Sequence, residues 1–170
     1  MNQLQQTFLQ LAVPAAMASQ AATGVPASIT IAQAILESGW GQSGLAKKAN
    51  NFFGIKAAAH AAPDSYIQLP TEEIGLGHAV TEEADFAKYA SVADGFKAHG
   101  LLLMQASRYA PAMAVRNSPA QFAAHLQKCG YSTNPNYASE LMKIVAELDL
   151  AQYDTQANSQ PATPAAEVKA

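Results

Sequence analysis

Apolar positions recur at helical spacing towards both ends of this chain and lose that rhythm in the middle. Residues 2–22 carry a helical stripe that predicts a first helix bent at Pro14, and Gly24 and Pro26 punctuate its end. Ser28 reads as the N-cap of a second helix running to Leu36 or Glu37. Ile, Leu and Ala fill most of that helix, so it is expected to be buried nearly all round. Gly39, Gly41 and Gly44 break the chain into a loop, with a short helical turn over 45–49. Residues 57–90 hold Pro63, Pro70, Gly75 and Gly77 around two partly alternating runs, "SYIQLP" and "AVTEEADFAKY", which read as a small β-hairpin lobe.

The helical period returns at Ser91, a cap followed by Asp94. Ser118, Pro119 and Gly130 bracket another helix, and Asn134 with Pro135 repeats the same start signal. From Tyr153 the chain turns to Pro, Ala, Thr and Gln without period. The expectation is one mainly α (α+β) domain over 1–152 carrying a small β lobe, with 153–170 as a disordered tail or linker stump.

Composition narrows the function. At 170 residues, 49% apolar and 14% charged, the chain can bury a real core. A net charge of −3 with no basic face argues against a nucleic-acid partner. Cys129 is the only cysteine, so no intrachain disulfide framework is possible. "FLQLAVPAAMASQAA" has the apolar centre of an export signal, but no Lys or Arg precedes Lys47, so it reads as an amphipathic first helix. No apolar run approaches the ~20 residues of a membrane span.

One carboxylate stands out. On the second helix Thr30, Gln33 and Glu37 share a face, and nearly everything else is apolar. Loss of solvent and the negative end of the helix dipole both raise the pKa of Glu37. An acid still protonated near neutral pH is what general acid catalysis requires. On these grounds alone, a general acid and a solvated helix-end glutamate are equally open. Trp40, between Gly39 and Gly41, reads as a sugar platform or, more in keeping with a lone tryptophan beside a buried helix, as core. Asn50 and Asn51, followed by Phe52 and Phe53, either bind a polar ligand or cap a turn.

Glycoside hydrolysis uses two carboxylates, and the lobe offers Glu72, Glu73, Glu82, Glu83 and Asp85 as partners for Glu37. His60, His78, His99 and His125 lack zinc-site spacing, so no metal or other cofactor is expected, and His99 and His125 read as core. Cys129 beside Gly130 fits a nucleophile paired with a distant His and a small buried residue equally well. Neither a P-loop nor a dinucleotide fingerprint is present.

Taken together, "PASITIAQAILESGWGQSGLAKKANNFFGIKA" resembles the start of the bacterial glucosaminidases of glycoside hydrolase family 73. These are peptidoglycan hydrolases that include the hydrolase domain of the flagellar rod-assembly protein and many autolysins. The family's Ala-x-x-Glu-Ser-x-Trp-Gly-x-Ser falls on 34–43, and its Ala-Asn-Asn-Leu-Phe-Gly-Ile-Lys on 49–56 with Phe52 for Leu. "FAKYASVADGFKAHGLLL" and "KCGYSTNPNYASELMKIV" resemble two later motifs, so the likeness runs over about 5–150.

The resemblance implies a lysozyme-like fold and an endo-β-N-acetylglucosaminidase acting on peptidoglycan glycan strands. Glu37 matches the family's general acid, Glu73 its second glutamate, with Glu72 the choice if the register slips by one, and Tyr131 its site tyrosine, with Tyr137 second. Trp40, Asn50, Asn51, Phe53, Tyr137 and Glu72 are the expected substrate contacts. Ile74, Ala87 and Asn134 depart from the family's Tyr, Arg and Asp. An inverting route would use Glu73 as base; a substrate-assisted one would use the sugar's acetamido group. A muramidase and a non-catalytic glycan-binding module are the competing functions. The expected setting is the cell wall, periplasmic or extracellular, as a monomer, with delivery by phage lysis or a secretion system among the routes.

Overall fold

The computed structural model describes residues 1–58, 62–75 and 78–154, with the backbone alone at Pro63 and over 71–75 and 78–82. His60 and the segment 155–170 lie outside the described residues.

Helix α1, Gln3–Thr23, runs unbroken through Pro14. A capping box between Asn2 and Gln5 starts it, and Gly24 ends it in the left-handed conformation at φ 76°. The second helix, α2 (Ala27–Ser38), lies at the centre of the domain: every residue from Ala27 to Ile35 is buried. Its N-cap position is Pro26, which has no side-chain donor or acceptor to offer. Ser28, expected as the cap, instead sits inside the first turn, fully buried.

Capping is supplied from a distance. Gln20 accepts from the Ala27 amide at 2.6 Å, and Asp154 accepts from the Ser28 amide at 2.8 Å and the Ser28 hydroxyl at 2.6 Å. The Gln20 amide also donates to the Asp154 carbonyl at 3.0 Å. Tyr153 packs against the core beside it. Tyr153 and Asp154 are thus part of the fold, although the composition shifts at Tyr153.

The short α3 (Gly44–Ala49) is capped by Ser43. β1 (Tyr66–Gly75) and β2 (His78–Ala87) then form an antiparallel hairpin, pairing from Tyr66 with Ala87 to Gly75 with His78. Pro70 is tolerated because β1 is the outer strand. On its other side β2 meets residues 55–57: Ala57 donates to Asp85 at 2.8 Å and Ala87 to Ile55 at 2.9 Å.

Helix α4 (Val92–Gln105) starts at the Ser91 cap and packs along α1. That contact is close because Gly100 lacks a Cβ: a methyl group there would lie 2.5 Å from the Ser19 hydroxyl of α1. Gly95 likewise lets α4 approach the end of α3, where a methyl group would lie only 2.1 Å from the Asn50 carbonyl. Three further helices close the core: α5 (Ala110–Met113), α6 (Pro119–Lys128) and α7 (Tyr137–Glu147). Helix α7 begins two residues after the Asn-Pro pair, because Asn134 spends its side chain on a turn, accepting from Asn136 at 2.9 Å and donating to Glu140 at 3.0 Å. Ser118 precedes Pro119 as expected but makes no side-chain capping bond. The core joins Phe8, Phe52, Phe53 and Phe96 to Leu103, Phe122, Leu126 and Leu141. A helical frame with one β-hairpin is the lysozyme-like arrangement expected.

Candidate active site

Glu37 is held where α2 stops. Gly39, Trp40 and Gly41 take three successive left-handed conformations, at φ 56°, 61° and 72°. Ser38 ties this turn to the helix, donating to the Ala34 carbonyl and accepting from the Gly41 amide at 2.8 Å. The last turn thereby emerges from the core. Ile35 and Ser38 are buried while Leu36 and Glu37 are exposed, so Glu37 is more open than a helix buried all round implied. Its carboxyl still faces enough protein for partial burial to raise its pKa, an effect larger than the opposing hydrogen bond from Tyr137.

That hydrogen bond belongs to a chain. Gln33, fully buried one turn back on α2, donates its amide to the Tyr137 hydroxyl at 2.9 Å. Tyr137, from the start of α7, donates to Oε1 of Glu37 at 3.2 Å. The polar face of α2 therefore does two things. Thr30 bonds back to the Pro26 carbonyl at 3.0 Å, and Gln33 and Glu37 share one tyrosine.

A cleft of about 370 Å³ opens in front of Glu37. It is lined by Phe53, Gly54, Ile55 and Lys56, by His99 and Leu102 of α4, and by Arg108, Tyr109 and Tyr131. The Tyr131 and Tyr137 rings stack at 5.5 Å and 25°. Burial raises the pKa of both hydroxyls well above the usual tyrosine range, so both remain protonated donors. The Arg108 guanidinium lies 4.5 Å from the centre of the Tyr109 ring and donates to the Tyr109 hydroxyl. A glutamic acid at such a cleft, its pKa raised by burial, has the chemistry to deliver a proton to a bound oxygen, and the tyrosines and cations can donate to the rest of a polar ligand.

Of the residues singled out in the sequence, Glu37, Tyr131 and Phe53 line this cleft, and Tyr137 lies directly behind Glu37. Three others are elsewhere. Trp40 meets the Phe8 ring edge-on at 5.8 Å and borders a separate groove with Asn50, on the side of α1 and α3. Asn50 donates to the Tyr89 carbonyl at 3.0 Å and closes α3 in the left-handed conformation. Asn51 is buried and staples the loop, donating to the Ile55 carbonyl at 2.8 Å and that of Ala87 at 2.9 Å. These amides cap turns rather than face the cleft.

Glu72 and Glu73 lie on β1 opposite Thr81 and Val80, and their side chains are outside the described residues. Among the described residues no group of three His, Cys, Asp or Glu side chains converges as a metal site. Sequence reasoning missed Arg108 and Tyr109, and it read His99 as core alone. An Arg-Tyr pair has no motif of its own, and His99 sits in an apolar run, "AHGLLLM", that hides it.

Comparisons with known proteins give the chain its relatives. Residues 13–150 match the Glucosaminidase family model, described as mannosyl-glycoprotein endo-beta-N-acetylglucosaminidase. The exo-glucosaminidase LytG of Bacillus subtilis is 39% identical over 132 residues, covering 75% of this chain and 45% of LytG. The peptidoglycan hydrolase FlgJ of Salmonella typhimurium is 36% identical over 143 residues, covering 82% of this chain and 44% of FlgJ. The chain spans less than half the length of these curated relatives. The catalytic domain of the autolysin Auto from Listeria monocytogenes superposes with a TM-score of 0.79 at 31% identity, covering 91% of this chain and 89% of that domain. With the family model spanning most of its length and relatives above 30% identity, the chain belongs to the glucosaminidase family of glycoside hydrolases.

Proposed function

We propose that this domain hydrolyses the β-1,4 bond between N-acetylglucosamine and N-acetylmuramic acid in peptidoglycan, with Glu37 as the general acid. The observation that carries the reading is Glu37 at the end of α2, its pKa raised by burial, bonded by Tyr137 and facing a cleft lined by Tyr131. The named activities of LytG and FlgJ point to the same substrate class.

In this mechanism Glu37 gives its proton to the glycosidic oxygen as the bond from that oxygen to C1 breaks, and the leaving sugar departs as an alcohol. Positive charge develops at C1. Water adds there, and its proton passes to a base. Glu73 is the proposed base, acting from the hairpin. The Tyr137 bond to Oε1 leaves Oε2 to carry the transferable proton, which aims the acid. Tyr131 donates to an oxygen of the bound sugar, and Phe53 supplies an apolar surface for it. The catalytic unit proposed runs from α1 through Asp154, because Asp154 supports α2.

Such an enzyme works on the cell wall, outside the cytoplasm, and the proposal is a monomer that needs neither metal nor cofactor. Among the described residues no helix is long and apolar enough to cross a membrane. Mass spectrometry of products from purified peptidoglycan tests the bond. Reducing N-acetylglucosamine ends support the proposal. Reducing N-acetylmuramic acid ends would assign a muramidase, and binding without new reducing ends would assign a glycan-binding module.

A further inference from the structure

His99 is fully buried in α4, yet it is a wall of the cleft. The close contact of Gly100 with α1 fixes the height of this turn of α4. The Phe53 ring stacks on the imidazole at 3.9 Å and 15°, which fixes its plane. Nε2 lies 3.1 Å from the Tyr131 hydroxyl, and Nδ1 is buried without a hydrogen-bond partner among the described residues. Burial lowers the pKa to about 3, so the ring is neutral and carries one hydrogen.

That hydrogen has two possible homes. On Nδ1 it would be a buried N–H with no acceptor, and Nε2 would draw the Tyr131 hydrogen back towards α4. On Nε2 it bonds the Tyr131 oxygen, and what is left unpaired on Nδ1 is only a lone pair. Orphaned buried N–H groups are the rarer of the two in folded proteins. The second arrangement also frees the Tyr131 hydrogen to turn away from His99, towards the cleft that Tyr131 lines and the neighbouring Tyr137 hydroxyl.

We propose that His99 is a positioning residue: by donating from Nε2 it makes Tyr131 a hydrogen-bond donor into the cleft, towards an oxygen of the bound sugar. The inference rests on the glycan-hydrolase reading for its last step, but its first step concerns the free protein. Two tyrosines would then be oriented from behind in the same sense, Tyr137 by Gln33 and Tyr131 by His99.

The test has a spectroscopic arm and a kinetic arm. Nitrogen NMR of histidine-labelled protein is expected to show His99 neutral with the hydrogen on Nε2; a hydrogen on Nδ1, or a charged ring near neutral pH, overturns the proposal. For kinetics on peptidoglycan, His99→Gln keeps an N–H donor and is expected to stay within about threefold of wild-type kcat. His99→Phe keeps the stack on Phe53 but has no donor, and is expected to lose about tenfold in kcat, the worth of one hydrogen bond. In a Tyr131→Phe background the same His99→Phe change is expected to cost nothing further. An equal loss in both backgrounds would mean that His99 acts only through packing. Absence of turnover by the wild type would sink the proposed function alone and leave the tautomer measurement to decide this one.

Discussion

The hydroxyl of Tyr137 donates to the carboxyl of Glu37 at 3.2 Å, although a hundred residues separate the two in the chain. This bond favours the carboxylate and so opposes the rise in pKa that burial produces. Removing it has a definite sign. Tyr137→Phe is expected to raise the pKa of Glu37 further and move the alkaline limb of kcat/KM to higher pH, because a general acid is lost as pH rises through its pKa. A pH–rate profile checks this; a limb that stays put or moves down would show that Tyr137 does not tune Glu37. The same change strands the Gln33 amide in the core, at a cost of about 1–3 kcal/mol in stability by denaturant unfolding.

Glu37→Gln separates catalysis from folding. Loss of the acid is expected to lower kcat by about a hundred- to ten-thousand-fold. Stability should move the other way. A carboxyl whose folded pKa lies above its unfolded value contributes stability below the unfolded pKa, and that contribution is lost as pH rises through the folded one. At neutral pH the amide is therefore expected to match or exceed the wild type in Tm. Wild-type lysis by a folded Glu37→Gln protein would remove Glu37 from the reaction.

The second acid can be identified by comparing two neighbours on the hairpin. By register Glu73 pairs with Val80 and Glu82 with Thr71, two residues apart along the hairpin ladder. Glu82 is therefore a stringent control for Glu73. Glu73→Gln is expected to cost at least about a hundredfold in kcat, and Glu82→Gln less than about threefold. Equal effects would remove Glu73 from the base role, and full activity in Glu73→Gln would favour the acetamido group of the substrate in its place.

The parts of this site that were readable in the sequence are those encoded locally. The stripe of Thr30, Gln33 and Glu37 follows from helical spacing, and the glycines at 39 and 41 mark where α2 must stop. What the stripe bonds to was not readable, since Tyr137 arrives from another helix. Ser28 was misread for the same reason. Its neighbourhood has the local pattern of a cap, while the group that satisfies the helix end comes from Asp154, 126 residues away. Asn50 and Asn51 show the converse. An amide beside aromatic residues is equally consistent with a ligand and with a turn, and here the backbone at Ile55, Ala87 and Tyr89 takes those bonds.

Trp40 is placed by packing, and its substitution should reveal that. The ring meets Phe8 edge-on, and the residue holds a left-handed backbone between two glycines. Trp40→Phe keeps the aromatic character but reduces the contact area, so it is expected to cost about 1–2 kcal/mol in stability. KM for peptidoglycan should not change, because the ring borders the groove beside α1 and not the cleft of Glu37. A raised KM with unchanged stability would make Trp40 a sugar platform.

Asp154 provides the last test, and it concerns how far the folded unit extends. Its carboxylate accepts both from the Ser28 amide and from the Ser28 hydroxyl, at a helix end whose own cap residue is Pro26. Asp154→Ala leaves both donors buried and unpaired, at an expected cost of about 1–3 kcal/mol. Asp154→Asn keeps an oxygen that can accept from the amide and should recover part of the loss. A chain ended after Gln152 should be destabilised at least as much as Asp154→Ala, because it also removes Tyr153 from the core. Unfolding by denaturant measures all three. Equal stability of the shortened chain and the full one would mean that the support of α2 by Asp154 contributes nothing net, and that the folded unit ends at Gln152.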